Sequence, residues 1–350
     1  MSLAVEIAER ALVPDWLIRR GVRRLLFSRL EYERRADGEQ QQERLRRFIE
    51  RLRQSPIAIR TEQVNIQHYE LPASFFHLVL GKWKKYSCCY WPAQTAQPDA
   101  SLDVELDAAE ESMLALTCQR AQISDGMRVL DLGCGWGSLS LWIASHYPSC
   151  RITALSNSRL QRESIEADCR RLGLSNIRVL TGDVSSFDTD ETFDRIVSVE
   201  MFEHMRNYEL LLAKIRRWLV NDGKLFVHVF CHRHYAYTFE EEASSWMGSE
   251  FFSGGTMPSD SLLLYFQRDL ILEDHWSVDG RHYARTLRAW LEKLDAARER
   301  VLEIFSETYG PERARRQLQR WRLFFIGCEE SFAFRGGWEW YVSHYLFRPR

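Results

Sequence analysis

Between residues 129 and 229 short apolar runs alternate with amphipathic stretches, and that rhythm sets the fold class. The runs Val129–Leu132, Arg151–Leu155, Ile177–Thr181, Phe193–Val199 and Lys224–Val229 read as strands. Apolar residues return at helical spacing in 137–147, 158–172 and 204–219, which predicts helices between them. Strand–helix alternation of this kind implies a parallel sheet wound with helices on both faces. Further on, Leu270–Val278 reads as another strand, and Thr286–Tyr309 and Glu312–Phe334 read as helices. Gly336-Gly337 breaks the chain before a closing strand, Glu339–Phe347, expected to run antiparallel.

The flanks follow other patterns. Residues 1–55 carry two apolar stripes at helical spacing, one through Leu12, Leu17, Val22, Leu25, Leu26 and Leu30, the other through Leu45, Phe48, Ile49 and Leu52. A polar linker, Arg34–Gln42, is expected between them. The region is rich in arginine and has no lysine. A basic amphipathic helix can dock on an anionic membrane, but the acidic residues mixed in favour a solvated helix face. Residues 56–100 are aromatic and proline-punctuated, more like a lid or pocket wall than regular structure. Residues 102–122 return to a helical pattern, and 231–268 read as irregular. The expected organisation is a helical extension and pocket cover over 1–120, a core over 121–230, a helical lid over 231–320, and a terminal helix and strand over 321–350. There are no internal repeats.

Composition narrows the function classes. The chain has 350 residues, with 47 basic and 49 acidic side chains and a formal net charge of −2, which gives no general electrostatic reason to bind nucleic acid. Aromatics make up 13% of residues; they suit a pocket for a ring-bearing or greasy substrate and equally suit a core. The 8 cysteines are scattered, without a C-x-x-C pair or metal-ligand spacing, so reduced thiols and no metal are expected. No apolar run approaches the ~18 residues of a membrane span, and the N-terminus lacks a signal-peptide core. A cytoplasmic protein is the expectation, with oligomeric state left open and a homodimer one option.

The chemistry concentrates at strand ends. After Val129–Leu132, glycines stand at alternate positions, Gly133, Gly135 and Gly137, in a turn that lets backbone approach a ligand at the carboxyl end of a parallel strand. The spacing G-x-G-x-G differs from the G-x-G-x-x-G dinucleotide fingerprint. It resembles the S-adenosylmethionine-binding turn of the seven-stranded class I methyltransferases. On that resemblance Asp131 orients the turn or faces the donor's ammonium. The next strand ends in Ala154-Leu-Ser-Asn-Ser158 with no acid to bind ribose, leaving Asn157 and Gln161 as hydroxyl partners. Gly182-Asp183-Val184 follows the third strand, where Asp183 can accept from the adenine amino group and Val184 can pack the ring; Asp183 can equally cap a helix. Glu200, Glu203 and His204 follow the fourth strand, and their offsets share one face if the segment is helical. A protonated amine must lose a proton before it attacks a methyl group, and a carboxylate or imidazole in reach can take it.

Several motifs in order resemble the cyclopropane-fatty-acid synthase superfamily, and within it the plant coclaurine N-methyltransferases. They include Tyr86-Ser-Cys-x-Tyr90, Asn157-Ser-x-x-Gln161, Val199-Glu-Met-Phe-Glu-His204, Leu225-Phe-Val-His228, Gly254-Gly-Thr-Met-Pro258 and Gly280-x-His-Tyr-Ala284, and the likeness covers nearly the whole chain. The resemblance implies a seven-stranded Rossmann-like sheet and S-adenosylmethionine as methyl donor, with Tyr86, Ser87 and Val199 at its site. It implies a small aromatic or heterocyclic amine as acceptor, oriented and deprotonated by Glu200, Glu203 and His204, with Tyr69, Glu70, Phe202, His228 and Tyr283 around it. The rival within the superfamily is a cyclopropane synthase acting on lipid acyl chains, where a bound bicarbonate serves as base; its counterparts here are Cys88, Glu203, His228 and Tyr283. Only that alternative calls for contact with a membrane.

Overall fold

The structure, a computed structural model, describes residues 3–34, 37–59, 71–92, 101–239 and 246–350. Its strands are β1 (Arg128–Leu132), β2 (Arg151–Ser156), β3 (Ile177–Thr181), β4 (Phe193–Val199), β5 (Leu219–His232), β6 (Tyr237–Thr238), β7 (Thr256–Met257), β8 (Leu270–Val278) and β9 (Trp340–Pro349). Seven of them form one sheet in the order β3-β2-β1-β4-β5-β9-β8, and β6 and β7 pair separately. From β3 to β5 every pairing is parallel. The closing strand β9 lies antiparallel between β5 and β8, as its sequence position predicts.

The helices are α1 (Leu3–Glu9), α2 (Asp15–Arg34), α3 (Gly38–Gln54), α4 (Ala73–Val79), α5 (Leu102–Arg120), α6 (Ser138–His146), α7 (Arg159–Leu172), α8 (Tyr208–Trp218), α9 (Trp246–Glu250), α10 (Gly280–Ala296), α11 (Arg298–Tyr309) and α12 (Pro311–Ala333). Past their first residues, β1 and β2 are wholly buried, as parallel strands covered on both faces must be. Helix α8 shows how the covering works. Asn207 caps it by accepting from the Leu210 amide at 3.0 Å, and Tyr208, Leu211, Leu212, Ile215 and Trp218 form a buried stripe at helical spacing.

The structure departs from the sequence pattern at several boundaries. The expected linker Arg34–Gln42 is shorter, because Asp37 accepts from the Gln40 amide at 2.8 Å and starts α3 at Gly38. The helix expected from 204 begins at Tyr208, and Phe202–His204 form a separate single turn of tighter helix. The stretch Thr286–Tyr309 is two helices; α10 begins at Gly280 behind the capping Asp279, and the chain breaks at Ala297. Residues 231–268 hold α9 and the β6–β7 pair.

The N-terminal helices are clamped to α12. Arg19 reaches Glu329 at 2.7 Å and Glu330 at 2.8 Å, Arg322 reaches Asp15 at 2.7 Å, and the buried Glu9 takes Arg320 at 2.9 Å. Part of the arginine excess therefore points at carboxylates of the same chain. Among the described residues no helix is long and apolar enough to cross a membrane.

Candidate active site

The chain runs β1-β2-β3 in one direction and then returns to place β4 beside β1. Ligands of open α/β sheets bind in the crevice at such a reversal, outside the strands' carboxyl ends. The three glycines sit there with φ of +88° at Gly133, +53° at Gly135 and +82° at Gly137, which side chains other than glycine's adopt at a cost. A Cβ at Gly133 would stand 2.7 Å from Met201 Cγ, and one at Gly137 2.6 Å from Ile165 Cγ1. At Gly135 a Cβ meets no atom of the described residues within 4 Å, so this residue faces a cavity.

That cavity has a volume of about 120 Å³. Tyr86, Ser87, Asp131, Gly133, Gly135, Asn157, Gln161, Asp183, Val184 and Val199 all line it; Gly137 instead packs on Ile165. Asp131 accepts from the Ser140 hydroxyl at 2.6 Å, and burial pushes its carboxyl up to about 6. It braces the turn against α6. Asp183 accepts from the Ser185 amide at 2.7 Å and hydroxyl at 2.6 Å, so it caps its own turn while lining the cavity. Gln161 Oε1 accepts from the Ser156 hydroxyl at 2.6 Å, and among the described residues its Nε2 has no partner. Trp136 Nε1 and Ser138 Oγ are also buried on this wall, and among the described residues they have no partner. Unmet polar groups of this kind suit a ligand rich in carboxylate and hydroxyl oxygens, as S-adenosylmethionine is.

The loop that brings Tyr86 and Ser87 here is shaped by Glu110, which accepts from the amides of Gly81 at 2.9 Å, Trp83 at 2.7 Å and Lys85 at 3.1 Å. Burial pushes its carboxyl up to about 7. Lys85, 3% exposed, adds a cation to the wall. The sequence reading missed it, although the Lys84-Lys85 pair directly precedes Tyr86.

A second cavity, of about 2140 Å³, opens on the other side. Phe230, Tyr237, Phe252, Tyr283, Trp290, Phe324, Phe332 and Trp340 give it an aromatic lining, and Leu17, Leu25 and Leu45 of the N-terminal helices close one flank. The two cavities share Tyr86, Glu200 and His204 as lining residues.

Glu200 stands at this junction with φ of +47°, in the left-handed region, where a glutamate stays only if its surroundings hold it. Its Oε1 accepts from the Cys88 amide at 3.0 Å and lies 3.2 Å from His228 Nε2, and its Oε2 accepts from the Tyr283 hydroxyl at 2.5 Å. Burial raises its carboxyl above the usual range, against the lowering effect of Lys85 and these hydrogen bonds. Glu203 is placed differently. It is 2% exposed, lines the aromatic cavity, and among the described residues its Oε2 has no hydrogen-bond partner. Burial, then the nearby charge of Glu200, push its carboxyl well above the usual value.

The remaining expected residues divide. Tyr283 lines the aromatic cavity. His228 is fully buried behind Glu200 and lines neither cavity. Phe202 stacks on Tyr208 with rings 8° from parallel and packs into the core, away from both cavities. It follows the tight turn inward, where the expected α-helical face does not exist. Tyr69 and Glu70 lie outside the described residues. Cys88 offers its backbone amide, not its thiol, to Glu200; the thiol is directed at the Cys89 carbonyl, and burial pushes it up.

The sequence matches the family described as mycolic acid cyclopropane synthetase over residues 58–338. It is 41% identical over 347 residues to an (S)-coclaurine N-methyltransferase of Thalictrum flavum subsp. glaucum, covering 98% of this chain and 94% of the relative. The crystal structure of a coclaurine N-methyltransferase bound to N-methylheliamine and SAH is similar with a TM-score of 0.93 at 39% identity, covering 99% of this chain and 98% of that one. Likeness to the cyclopropane-fatty-acyl-phospholipid synthase of Escherichia coli (strain K12) is lower, 30% over 276 residues, covering 75% of this chain and 67% of that protein.

Proposed function

The chain belongs to the mycolic acid cyclopropane synthetase family, in its coclaurine N-methyltransferase-like branch, and from that premise we propose its substrate class and the residues that act. It is a methyltransferase that uses S-adenosylmethionine and releases S-adenosylhomocysteine. The acceptor we assign is the nitrogen of a small cyclic, aromatic amine, of the benzylisoquinoline kind named for its relatives. The aromatic walls of the larger cavity support that assignment, since aromatic faces attract both apolar rings and cationic amines.

One observation carries the reading of the site. Glu200 and the buried Glu203 stand three residues apart; hydrogen bonds engage both oxygens of the first, while among the described residues Oε2 of the second is unmet beside the aromatic cavity. Glu203 is the proton acceptor in this reading: its Oε2 takes a hydrogen bond from the ammonium, and its raised pKa lets it keep the proton. Glu200 supplies a fixed negative charge that draws the cation in. His204, on the wall of both cavities, orients the nitrogen and passes the proton on. The donor, when bound, supplies an electrophilic methyl group on sulfur. The chain's part is to hold nitrogen and methyl in line and to exclude water, and alignment of this kind accounts for most of the rate.

The acyl-chain alternative fares poorly on the same geometry. Cys88, His228 and Tyr283, three of the groups that would hold a bicarbonate, are all engaged by the Glu200 carboxylate. The test is to supply radiolabelled S-adenosylmethionine with two panels, cyclic amines and unsaturated phospholipid vesicles. Label on an amine is expected. Label in acyl chains, with none on amines, overturns the proposal.

A further inference from the structure

Glu200 is joined to a buried row of side chains that crosses the sheet. His228 on β5 is in register with Val199 on β4 and with His344 on β9, and His344 is in register with Trp276 on β8. Residues directly opposed on neighbouring strands project from the same face, so the two imidazoles meet: His344 Nε2 lies 2.9 Å from His228 Nδ1. At one end of the row His228 Nε2 lies 3.2 Å from Glu200 Oε1. At the other, Arg120 at the end of α5 places Nη1 2.8 Å from His344 Nδ1, with its guanidinium over the Trp276 ring. Both histidines are 0% exposed.

The chemistry of the end groups fixes every hydrogen between them. A guanidinium only donates and does not give up its proton, so His344 Nδ1 accepts. Burial, first, holds both imidazoles well below their usual pKa and therefore neutral. A neutral imidazole has one N–H and one lone pair. His344 thus carries hydrogen on Nε2 and donates to His228 Nδ1, and His228 carries hydrogen on Nε2 and donates to Glu200 Oε1. The reverse order would put a hydrogen on His344 Nδ1 and set two N–H donors against each other at the Arg120 end.

We propose that Arg120 and His344 are positioning residues for methyl transfer: the cation at one end orients the hydrogens along the row, so that His228 always presents an N–H to Glu200 and holds it as an acceptor-only carboxylate beside Glu203. The inference rests on the reading of Glu200 and Glu203 as the carboxylates facing the amine. Neither Arg120 nor His344 lines either of the two cavities described above, so an effect on methyl transfer passes through the row.

The test is nitrogen NMR of the full chain labelled with ¹⁵N-histidine, with His228→Gln and His344→Gln used to assign the rings. Both rings are expected with hydrogen on Nε2 and a bare Nδ1. In Arg120→Glu the far group accepts instead of donating; both tautomers are expected to reverse, and kcat to fall about tenfold to a hundredfold, the scale of one hydrogen bond to a charged group, with little change in S-adenosylhomocysteine affinity. Arg120→Lys keeps a donor and is expected to keep the wild-type tautomers and most of the turnover. A hydrogen on Nδ1 of either ring in the wild type overturns the proposal. So does an Arg120→Glu enzyme that loses turnover without reversing the tautomers. If Arg120→Glu fails to fold, the wild-type spectrum still decides. The spectrum does not depend on which acceptor is methylated, so a wrong substrate class and a wrong row are told apart.

Discussion

Tyr283 donates its hydroxyl hydrogen to Glu200 Oε2 at 2.5 Å, and this contact makes α10 part of the support for the end of β4. Without it a buried carboxylate oxygen has no donor. Tyr283→Phe keeps the ring that stacks on Phe332 with centroids 4.3 Å apart, so only the hydrogen bond is lost. The expected cost is about 1.5–3 kcal/mol, the range for hydrogen bonds to charged groups, seen as a lower denaturation midpoint, together with reduced kcat at unchanged donor affinity. Wild-type stability and turnover in this variant would show that the hydroxyl does not hold Glu200.

Glu203 invites a trade between activity and stability. Its carboxyl is raised well above 4.5 by burial and then by the charge of Glu200. The folded chain therefore holds this proton more tightly than the unfolded chain. Its contribution to stability is fully present below the ordinary carboxyl pKa and is lost as pH rises through the raised value. Above that raised value the ionised group is a burden on the fold, and Glu203→Gln removes it. The variant is expected to melt at higher temperature than wild type there, while kcat falls about a hundredfold or more, the range for removal of a general base. Calorimetric melting and single-turnover rates check both halves. A variant that is inactive and also less stable would mean that Glu203 props the fold.

The sequence was most informative where structure is set by neighbours along the chain. Apolar runs located the strands because parallel strands are covered on both faces, and the glycine turn was legible because its three positive φ angles leave their mark in composition. Phe202 went astray because a single tight turn replaces the expected helix start, a choice made by tertiary contacts. The partnership of His228 with His344 was out of reach. The two are brought together by the register of β5 on β9, across 116 positions of sequence, and no local pattern encodes that pairing. Glu200 and Glu203 likewise look alike in sequence, and the placement of Cys88, His228 and Tyr283 separates their surroundings.

Gly135 and Gly137 offer a paired test. Gly135→Val puts its side chain into space that no atom of the described residues occupies within 4 Å, whereas the Cβ of Gly137→Ala lands 2.6 Å from Ile165. Both also bear the strain of a positive φ, about 1–2 kcal/mol. The expected outcome is that Gly135→Val folds and loses S-adenosylhomocysteine binding, while Gly137→Ala loses more stability than that strain alone explains. Titration calorimetry and melting on the two variants settle it. Unimpaired binding by Gly135→Val would mean that the cavity at this turn is not the donor site.

Glu200 at φ +47° occupies a backbone position suited to glycine, and its carboxylate engages donors that could equally hold a free anion. Glu200→Gly should relieve the backbone strain, so the fold is expected to persist. It should also leave the Cys88 amide, His228 Nε2 and the Tyr283 hydroxyl converging on a small space beside Glu203, a ready site for a planar carboxylate. Amine methylation is expected to fall about a hundredfold, because the fixed charge and the support of Glu203 are both gone. Millimolar formate or bicarbonate should then restore part of the rate in the variant and leave the wild type unaffected, since there the tethered carboxylate already fills the place. Restoration that also requires His228 and Tyr283, and vanishes in Glu200→Gly/Tyr283→Phe, would locate the anion. If no small carboxylate raises the rate of Glu200→Gly, the charge at this position matters less than the covalent attachment of Glu200 to the end of β4, and its role is to set the course of the chain toward Glu203.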